Sequence, residues 1–405
     1  MNFAIRKFIA NIPLAKSLYH VVRQRREKLR ARHAQAELEK KQPVIRQGSP
    51  ECFESLPLFV SWMVTSHCNH RCSYCFSAGK EYKKVFCTLE QAETAIKHIA
   101  STNRPSYQVN LIGGEPTTHP HLDKIVKLLC HHLGDRLEML QITSNGSFGE
   151  SQMEAILKAS EQVRVNLLVS VHLEYMDVER VVELVKRYSS RTRLQIALMF
   201  HPELIDKAMC VADALIALRK DYSFRMYPGM LWEAPYFDKY DGRYTEEHFN
   251  QAERIRERFG KVSDEAPERH ENQQKTTEWK FLVEREIGGA TEYHKWLSLS
   301  ELKDLTGNVF TGMTCCAGTS IVRIGVDGRT KGVLCRLDRY TYNIFEENPF
   351  VKDDWMHAVA CKKSICECNI NFRTPKFRSP AAAEKFIAEK KLEQKKLMCE
   401  RQEIS

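Results

Sequence analysis

Between residues 58 and 227 the chain alternates two patterns of apolar positions. Short runs rich in β-branched and aromatic residues predict buried strands, and the segments between them, with apolar residues every three to four positions, predict amphipathic helices. Strands that alternate with helices over short connections favour a parallel sheet covered by helices, so we predict an α/β fold. The predicted strands are 58–65, 107–112, 137–143, 163–171, 193–200 and 224–227, and the predicted helices are 88–100, 121–133, 150–160, 177–188 and 206–218.

The segments on either side of this repeat are less regular and divide the chain into five predicted units. Within the fourth unit, residues 320–326 and 333–337 are predicted to pair as a β-hairpin across a turn at Asp327-Gly328. Residues 42–57 are predicted to be a linker. The five units are a basic amphipathic helix and linker (1–47), the α/β core (56–230), an irregular and helical insert (231–312), a small cysteine-rich unit (313–375) and a charged C-terminal helix (376–405).

The positive charge of the chain is concentrated near its start. The net charge is +9, and residues 1–46, with twelve Lys or Arg and three Glu, account for all of it. The charge of the whole chain therefore says nothing about the substrate of the core. Apolar residues at helical spacing in this segment fit two structures, a helix lying on the cytoplasmic face of an anionic membrane or a helix that docks on the protein itself. The segment lacks the interleaved aromatic residues of a nucleic-acid stacking surface, which argues against nucleic acid as a partner.

The amino-acid composition limits which classes of protein the chain can belong to. A hydrophobic content of 43% and a charged content of 28% fit a globular protein, and no apolar run has the length that a bilayer span requires. The chain has fourteen cysteines, and several of them are grouped in closely spaced C-x3-C-x2-C and C-x4-C-x-C motifs. Such grouping favours metal binding over disulfides and predicts a reducing, cytoplasmic compartment.

The first cysteine motif follows the first predicted strand. Cys68, Cys72 and Cys75 form a C-x3-C-x2-C pattern on a loop just past the carboxyl end of that strand, where α/β folds carry their chemistry. Thiolates select zinc, copper(I) or iron–sulfur clusters. Structural zinc and ordinary cubane clusters take four protein ligands, whereas three thiolates on a cubane leave one iron open. A zinc site with a distant fourth ligand, or three unrelated thiols, remain alternatives.

A second motif follows the next predicted strand. Gly113-Gly114-Glu115-Pro116 stands directly after residues 107–112. Glycines at a strand end let the backbone approach a ligand closely, and proline fixes the exit from the turn. With the carboxylate of Glu115, these backbone groups can hold an ammonium and a carboxylate together.

The two motifs, in this order and with aromatic Tyr74 before the last cysteine, resemble the radical S-adenosylmethionine (radical SAM) superfamily. The resemblance covers about residues 58–228. It implies a partial six-unit (β/α) barrel, open at one side, and a [4Fe-4S] cluster on Cys68, Cys72 and Cys75. It also implies an external reductase such as flavodoxin or ferredoxin. The resemblance implies S-adenosylmethionine as cosubstrate, contacted by Tyr74, Gly113, Gly114, Glu115, Asn145 and Ser170. The fifth strand departs from the family pattern, since residues 197–200 lack its glycine-rich adenine loop.

Other polar residues also lie just after predicted strands, as a barrel mouth requires. His172 and Glu174 follow the fourth strand, His201 follows the fifth, and Glu233 follows the sixth. These four are the candidate catalytic residues. Each histidine could instead be a rim residue hydrogen-bonded to backbone.

The last cysteines resemble the SPASM/twitch domains that are appended to radical SAM enzymes. The basis is a Cys-x-x-Gly segment, a hairpin with Asp-Gly, a second cysteine (Cys335) on the return strand of that hairpin and a late cysteine group, although the late group is shorter than in a full SPASM domain. The resemblance implies one auxiliary [4Fe-4S] cluster, and a four-cysteine zinc site is the alternative. The predicted ligands are Cys316, Cys335, Cys366 and Cys368, with Cys315 and Cys361 as alternates.

Together the resemblances imply an oxidoreductase or related radical enzyme. It would cleave S-adenosylmethionine reductively to a 5′-deoxyadenosyl radical and take hydrogen from a substrate, with the auxiliary cluster transferring electrons or ligating substrate. A small polar, sugar-type substrate is preferred. The alternatives are a peptide- or protein-modifying maturase and, more remotely, a non-catalytic iron–sulfur protein.

Overall fold

The structure is a computed structural model, and it describes residues 43–48, 57–75, 84–233, 240–265, 280–287, 290–297, 309–335, 337–339, 341–363, 366 and 373–402. The predicted N-terminal helix and Cys368 lie outside these residues. Among the helices that are described, none combines the length and the apolar character that crossing a bilayer requires.

A nine-stranded sheet forms the centre of the molecule. Six of its strands are parallel and lie side by side in chain order, and the sheet ends at two edges rather than closing on itself. The predicted partial six-unit barrel is therefore confirmed. The six strands are β2 (Leu58–Thr65), β3 (Tyr107–Gly113), β4 (Leu137–Ser144), β5 (Val165–Val171), β6 (Arg193–Met199) and β7 (Arg225–Gly229).

Helices connect the strands and pack on one face of the sheet. Thr88 begins the first helix with a capping box, in which its side chain and that of Gln91 bond each other's backbone amides. Asp177 begins the fourth by accepting the amide of Arg180. The helices are α1 (Leu89–Ser101), α2 (Leu122–Leu133), α3 (Glu150–Ala159), α4 (Val178–Tyr188), α5 (Ile205–Leu218) and α6 (Glu246–Glu265).

The two faces of the central sheet differ in chemistry. On the face toward the helices, alternate residues of each strand are aliphatic or aromatic and join the main core, as Val60, Leu111 and Val169 do. The opposite, concave face carries the intervening residues, many of which are polar, such as Asn110 and Asn166. This division follows from the period of two along a strand. The concave face is therefore a polar surface inside the open barrel.

Three strands from the cysteine-rich unit extend this sheet. β11 (Ile321–Ile324) pairs in parallel with β2, and β12 (Arg329–Lys331) and β13 (Tyr342–Asn343) continue the sheet in antiparallel pairs. The hairpin turn predicted at Asp327-Gly328 lies between β11 and β12. The predicted return strand over residues 333–337 was wrong. The actual return strand is β12, which begins directly after the turn, and residues 332–335 beyond it form bends.

A second, six-stranded sheet is antiparallel and gathers distant parts of the chain. Residues 43–48 were predicted to be linker but form β1, which pairs along its whole length with β8 (Lys280–Ile287). The second sheet has the order β14-β10-β15-β1-β8-β9 and is followed by α7 (Pro380–Gln402). Its strands are β1 (Pro43–Gly48), β8 (Lys280–Ile287), β9 (Ala290–Leu297), β10 (Thr314–Ala317), β14 (His357–Ala360) and β15 (Lys376–Phe377).

Candidate active site

The first cysteine motif forms a loop directly beyond β2. Cys72 is buried, Cys68 and Cys75 are half-buried, and all three are free thiols. The amide of Cys75 donates to the carbonyl of Cys72 at 3.1 Å, and the amide of His70 donates to Sγ of Cys68 at 3.4 Å. The loop thus turns tightly and presents three thiols at one end of the barrel.

The thiols of this loop influence one another's charge. Burial, with smaller contributions from Glu174, Cys75 and Cys68, raises the pKa of Cys72 to about 12. Burial also raises the pKa of Cys68, where the His70 amide opposes the shift and Glu115 and Cys75 add to it. Three thiolates this close repel one another, so a bound cation would be needed to keep them deprotonated together.

The Gly-Gly-Glu-Pro turn lies directly against the backbone that leads into the cysteine loop. Gly114 N donates to Thr65 O at 3.0 Å, and Glu115 N donates to His67 O at 2.7 Å. A Cβ atom on Gly113 would lie 2.3 Å from Thr65 O, and one on Gly114 would lie 2.3 Å from His67 O. The two glycines are therefore required for this contact, which brings the two motifs of the sequence together.

The carboxylate of Glu115 is buried and fully engaged. It accepts hydrogen bonds from the amide and hydroxyl of Thr117, from the hydroxyl of Ser144 and from the amide of Asn145, at 2.6–3.1 Å. Burial raises the pKa of Glu115, and these hydrogen bonds oppose that shift. Glu115 thus fastens the end of β3 to the end of β4, and its role toward a cosubstrate stays a prediction.

Asn145 and Ser170 occupy different positions around the mouth. The side chain of Asn145 donates to Oδ1 of Asn69 at 2.9 Å and approaches Sγ of Cys68 at 4.0 Å. Asn145 therefore lies beside the first cysteine. Ser170 is half-buried near the carboxyl end of β5, on the concave face.

The end of β5 holds the cysteine loop from the other side. Arg71 N donates to the hydroxyl of Tyr175 at 2.9 Å, and Ser73 N donates to the carboxylate of Glu174 at 3.1 Å. The hydroxyl of Tyr74 is hydrogen-bonded to Nδ1 of His172 at 2.7 Å. Three side chains from residues 172–175 thus form hydrogen bonds with three residues of the loop between Cys68 and Cys75.

The candidate catalytic residues therefore fall into two groups. His172 and Glu174 contact the cysteine loop, and so does His201, whose Nε2 lies 3.4 Å from Oγ of Ser73. Burial, helped by His70, lowers the pKa of His172 to about 4, so its ring is neutral at physiological pH. Glu233 is exposed and follows Trp232, whose ring is 4.3 Å from that of Tyr240.

The later cysteines lie on both faces of β10. In the second sheet Cys315 is opposite Lys376. Cys361 N donates to Met313 O at 2.8 Å, which continues the pairing of β10 with β14. This register puts Cys315, Cys361 and Lys376 on one face. Cys316 points to the other face, where its Sγ lies 3.9 Å from the carbonyl of Ala383 in α7.

Cys315 and Cys361 share their electrostatic neighbours, and Cys316, although it points to the other face, also interacts electrostatically with Cys315 and Lys376. Burial raises the pKa of Cys315 to about 11, with Cys361 and Cys335 raising it and Lys376 lowering it. Cys361 has the same neighbours, Cys335 and Lys376. The structure thus brings Cys315, Cys335 and Cys361 together around a buried lysine. It does not bring Cys316 to Cys335 as predicted, because adjacent strand residues face opposite ways. Cys366 is half-buried.

The bend that carries Cys335 is tied to β14 by a charged pair. Oδ1 of Asp338 lies 2.9 Å from Nε2 of His357, and Oδ2 accepts the amides of Gly332 and Val333 at 2.8 and 3.2 Å. The hydrogen bond to Asp338 raises the pKa of His357, while His357 and the two amides hold the pKa of Asp338 low against the effect of burial. Asp338 therefore sets the position of Cys335 relative to the strand before Cys361.

Within the part of the chain that the structure describes, no three His, Cys, Asp or Glu side chains converge closely enough to hold a single metal ion. Cysteines that bind a cubane each bind a different iron, so they do not converge on one point.

Sequence reasoning missed three residues of these sites, Tyr175, Lys376 and Arg323. Arg323 contacts Sδ of Met63 through Nη2 at 3.6 Å, on the concave face. All three contact their sites only because segments that are far apart in the sequence come together in the fold. Only the polar alternation along the barrel strands could have pointed to the concave surface beforehand.

A family model described as the Radical SAM superfamily matches residues 62–216. GTP 3′,8-cyclase of Aquifex aeolicus is 31% identical over 113 residues, which are 27% of this chain and 33% of that protein. GTP 3′,8-cyclase of Chlorobaculum tepidum is 23% identical over 320 residues, which are 76% of this chain and 86% of that protein. The match to the Aquifex relative spans only about a third of that protein's length.

Solved structures resemble the chain at low identity. SuiB of Streptococcus suis bound to S-adenosylmethionine has a TM-score of 0.45 and 16% identity, covering 80% of this chain and 70% of SuiB. BtrN in complex with AdoMet and 2-DOIA has a TM-score of 0.33 and 13% identity, covering 72% of this chain and 80% of BtrN. Because both TM-scores are below 0.5, nothing about the substrate of this chain follows from them.

Proposed function

Residues 62–216 of this chain belong to the radical SAM superfamily, and from this premise we propose that the chain is an enzyme that cleaves S-adenosylmethionine reductively at a [4Fe-4S] cluster. The observation that supports this most directly is the hydrogen bond from Glu115 N to His67 O. It joins the turn that would bind the cosubstrate to the loop that would bind the cluster.

The donor set fits this group. Cys68, Cys72 and Cys75 are three free thiols on one loop, and soft thiolates are the ligands that iron–sulfur clusters take. Asn145 lies beside Cys68, within reach of an amine or carboxylate bound next to it. When bound together, the cluster and S-adenosylmethionine supply a radical that takes a hydrogen atom from a substrate.

The protein's own residues would orient the reaction. Tyr74 is held by His172, and its ring lies 5.5 Å from that of His201. The three rings form an aromatic wall beside the cysteine loop. Such a wall excludes water and offers a stacking surface for a purine. An external reductase of the flavodoxin or ferredoxin type would deliver the electron.

The auxiliary site is proposed with a changed ligand set, Cys315, Cys335 and Cys361. Lys376, which is 1% exposed, provides positive charge beside Cys315 and Cys361. A nearby cation favours the more negative, reduced state of a thiolate-bound cluster. We therefore favour electron acceptance from the substrate as the role of this site. Cys366 is the candidate for a fourth ligand.

A small polar substrate is preferred because the concave face is polar. The relatives named GTP 3′,8-cyclase support a small-molecule substrate. A peptide remains the second candidate. The membrane contact predicted for residues 1–46 also stays a proposal, which co-sedimentation with anionic liposomes, with and without that segment, would test.

Anaerobic reconstitution with iron and sulfide, followed by dithionite and S-adenosylmethionine, tests the function. We expect 5′-deoxyadenosine and methionine in equal amounts. Cys72→Ala should form neither. Cys210→Ala, which changes an exposed thiol on α5, is the matched control and should behave as the unchanged protein does. Absence of 5′-deoxyadenosine from the loaded, unchanged protein would reject the proposal.

A further inference from the structure

A continuous row of polar residues crosses the concave face of the central sheet, from the middle of β2, β3 and β4 to the amino-terminal ends of β5 and β6. The strand registers place one polar residue from each of six adjacent strands side by side. Barrel interiors are usually filled by bulky branched side chains, so this layer is not an ordinary core. In spatial order the polar row consists of Arg323, Ser61, Asn110, Gln141, Asn166 and Arg193.

The middle of the polar row is satisfied internally. Gln141 Nε2 donates to the hydroxyl of Thr143 at 3.2 Å, and that hydroxyl donates to Oδ1 of Asn110 at 3.1 Å. This chain of hydrogen bonds fixes the orientation of three side chains without any ligand. It forms a rigid central part of the row.

The flanks of the row differ from its centre. Among the described residues, Oδ1 of Asn166 and Nε of Arg323 are buried and have no hydrogen-bond partner. Asn166 is only 8% exposed. A buried polar atom without a partner costs its full desolvation penalty, and a fold retains one where something else satisfies it. The two atoms are complementary, since one is an acceptor and the other belongs to a cation.

The depth of the polar row in the barrel and the distance between Asn166 and Arg323 limit which molecule could bind both atoms. Ser61 lies four residues before Thr65, so the polar row is about 13 Å below the mouth. Asn166 and Arg323 are four strand spacings apart, about 19 Å along the sheet, and the curvature of the sheet shortens the distance across the interior. A lone ion or a single monosaccharide is too short for this span.

We propose that the polar row is the surface on which this enzyme binds its substrate, and that it takes an anionic molecule with hydroxyl or amine donors, about the size of a nucleotide. The anionic oxygen faces Arg323, and a donor faces Asn166. This inference rests on the proposed function, because it concerns the substrate that the same barrel would bind. It also explains why β11 joins the barrel sheet, since that strand supplies the cation.

The ligand-free protein gives the first test. Asn166→Leu replaces an unsatisfied buried amide with an apolar side chain of similar size, so its melting temperature should equal or exceed that of the unchanged protein. Thr192→Val is the matched control. Its buried hydroxyl donates to Tyr188 O at 2.8 Å, so this change should lower the melting temperature. A large loss of stability in Asn166→Leu would overturn the proposal, because Asn166 would then be structural.

Three probes give the second test, namely GTP, glucose 6-phosphate and glucose, with binding followed by calorimetry and by the melting temperature. We expect GTP to bind the unchanged protein and Thr192→Val equally, and to bind Asn166→Leu and Arg323→Met about tenfold or more weakly. Glucose 6-phosphate should bind more weakly than GTP, and glucose should not bind. Equal binding of GTP by all four proteins would overturn the proposal, as would failure of both anionic probes to bind the unchanged protein.

Both tests are independent of the radical chemistry. If the loaded protein forms no 5′-deoxyadenosine while the row variants behave as expected, the proposed function fails and the binding surface stands. If 5′-deoxyadenosine forms but Asn166→Leu binds GTP as the unchanged protein does, the binding surface fails and the proposed function stands.

Discussion

The backbone amide of Ser73 donates a hydrogen bond to the carboxylate of Glu174 at 3.1 Å. Ser73 lies between Cys72 and Cys75, and Glu174 follows β5, so this bond connects the cysteine loop to a strand that is three strands away in the sheet. Together with the contacts of Tyr175 and His172, it sets the shape of the loop from outside. Glu174, predicted to be catalytic, thus has a positioning role in the structure.

Glu174→Ala removes the acceptor of the Ser73 amide and should loosen the loop. We expect iron to be lost to a chelator about fivefold faster, the equivalent of about 1 kcal/mol for one hydrogen bond. Glu174→Gln keeps an acceptor oxygen and should restore most of the retention. The control is Glu203→Gln, since Glu203 pairs with Arg243 at the next strand end and does not contact the loop. Equal iron loss in Glu174→Ala and the unchanged protein would contradict the positioning role.

Gly114→Ala tests the contact between the two sequence motifs. The new Cβ would lie 2.3 Å from His67 O, a clash with backbone that cannot be relieved by a side-chain rotation. We expect a loss of about 1–3 kcal/mol in the free energy of unfolding and a reduced iron content. Gly149→Ala is the matched control, because nothing lies within 4 Å of its Cβ position. Chemical denaturation and iron analysis measure both quantities, and identical results for the two variants would refute this contact.

The two adjacent cysteines of β10 should behave oppositely. With both clusters loaded we expect about eight irons per chain, and Cys315→Ala should reduce this to about four. Cys316→Ala should keep the iron and lose about 1 kcal/mol of stability, because the Cys316 side chain packs against α7 on the opposite face of β10 from Cys315. Iron and acid-labile sulfide assays decide the matter. A loss of four irons in Cys316→Ala would restore the ligand set predicted from the sequence.

Asp338 and His357 should make stability depend on pH in the unloaded protein. The pKa of His357 is raised, so its contribution is complete below pH 6.5 and is lost as the pH rises through its folded pKa. The pKa of Asp338 is lowered, so its contribution is complete above pH 3.8 and is lost as the pH falls through its folded pKa. The pair therefore stabilises most between pH 3.8 and 6.5.

Asp338→Asn should remove this dependence from the stability profile measured by chemical denaturation. Above pH 6.5 the stability should fall less with rising pH, because His357 would lose the partner that raises its pKa. If the stability of the variant depends on pH as that of the unchanged protein does, in both the acidic and the neutral range, the pair does not contribute to stability.

The barrel could be predicted from the sequence because its signals are local. The strand that begins at Leu58, the cap at Thr88 and the C-x3-C-x2-C motif each depend on residues close together in the chain. The strand pattern repeats six times and the cysteines fit a fixed spacing, so a single chain was enough to find them. The predicted radical SAM resemblance was confirmed over residues 62–216.

What could not be predicted depends on pairing between distant segments. Residues 43–48 become a strand only because β8 offers them a partner more than 230 residues later. Whether Cys315 or Cys316 faces Cys361 depends on the register of β10 with β14, and a shift of one residue would exchange them. The role of Glu174 likewise depends on a contact between residues about 100 positions apart.

The central claim is that three thiols leave one iron open for S-adenosylmethionine. Its most direct test is the low-temperature electron paramagnetic resonance spectrum of the reduced protein, in a variant that lacks Cys315, Cys335 and Cys361 and so carries only the first cluster. Direct binding of the cosubstrate to an iron should change the spectrum when S-adenosylmethionine is added. A spectrum that stays the same at saturating S-adenosylmethionine would contradict the account.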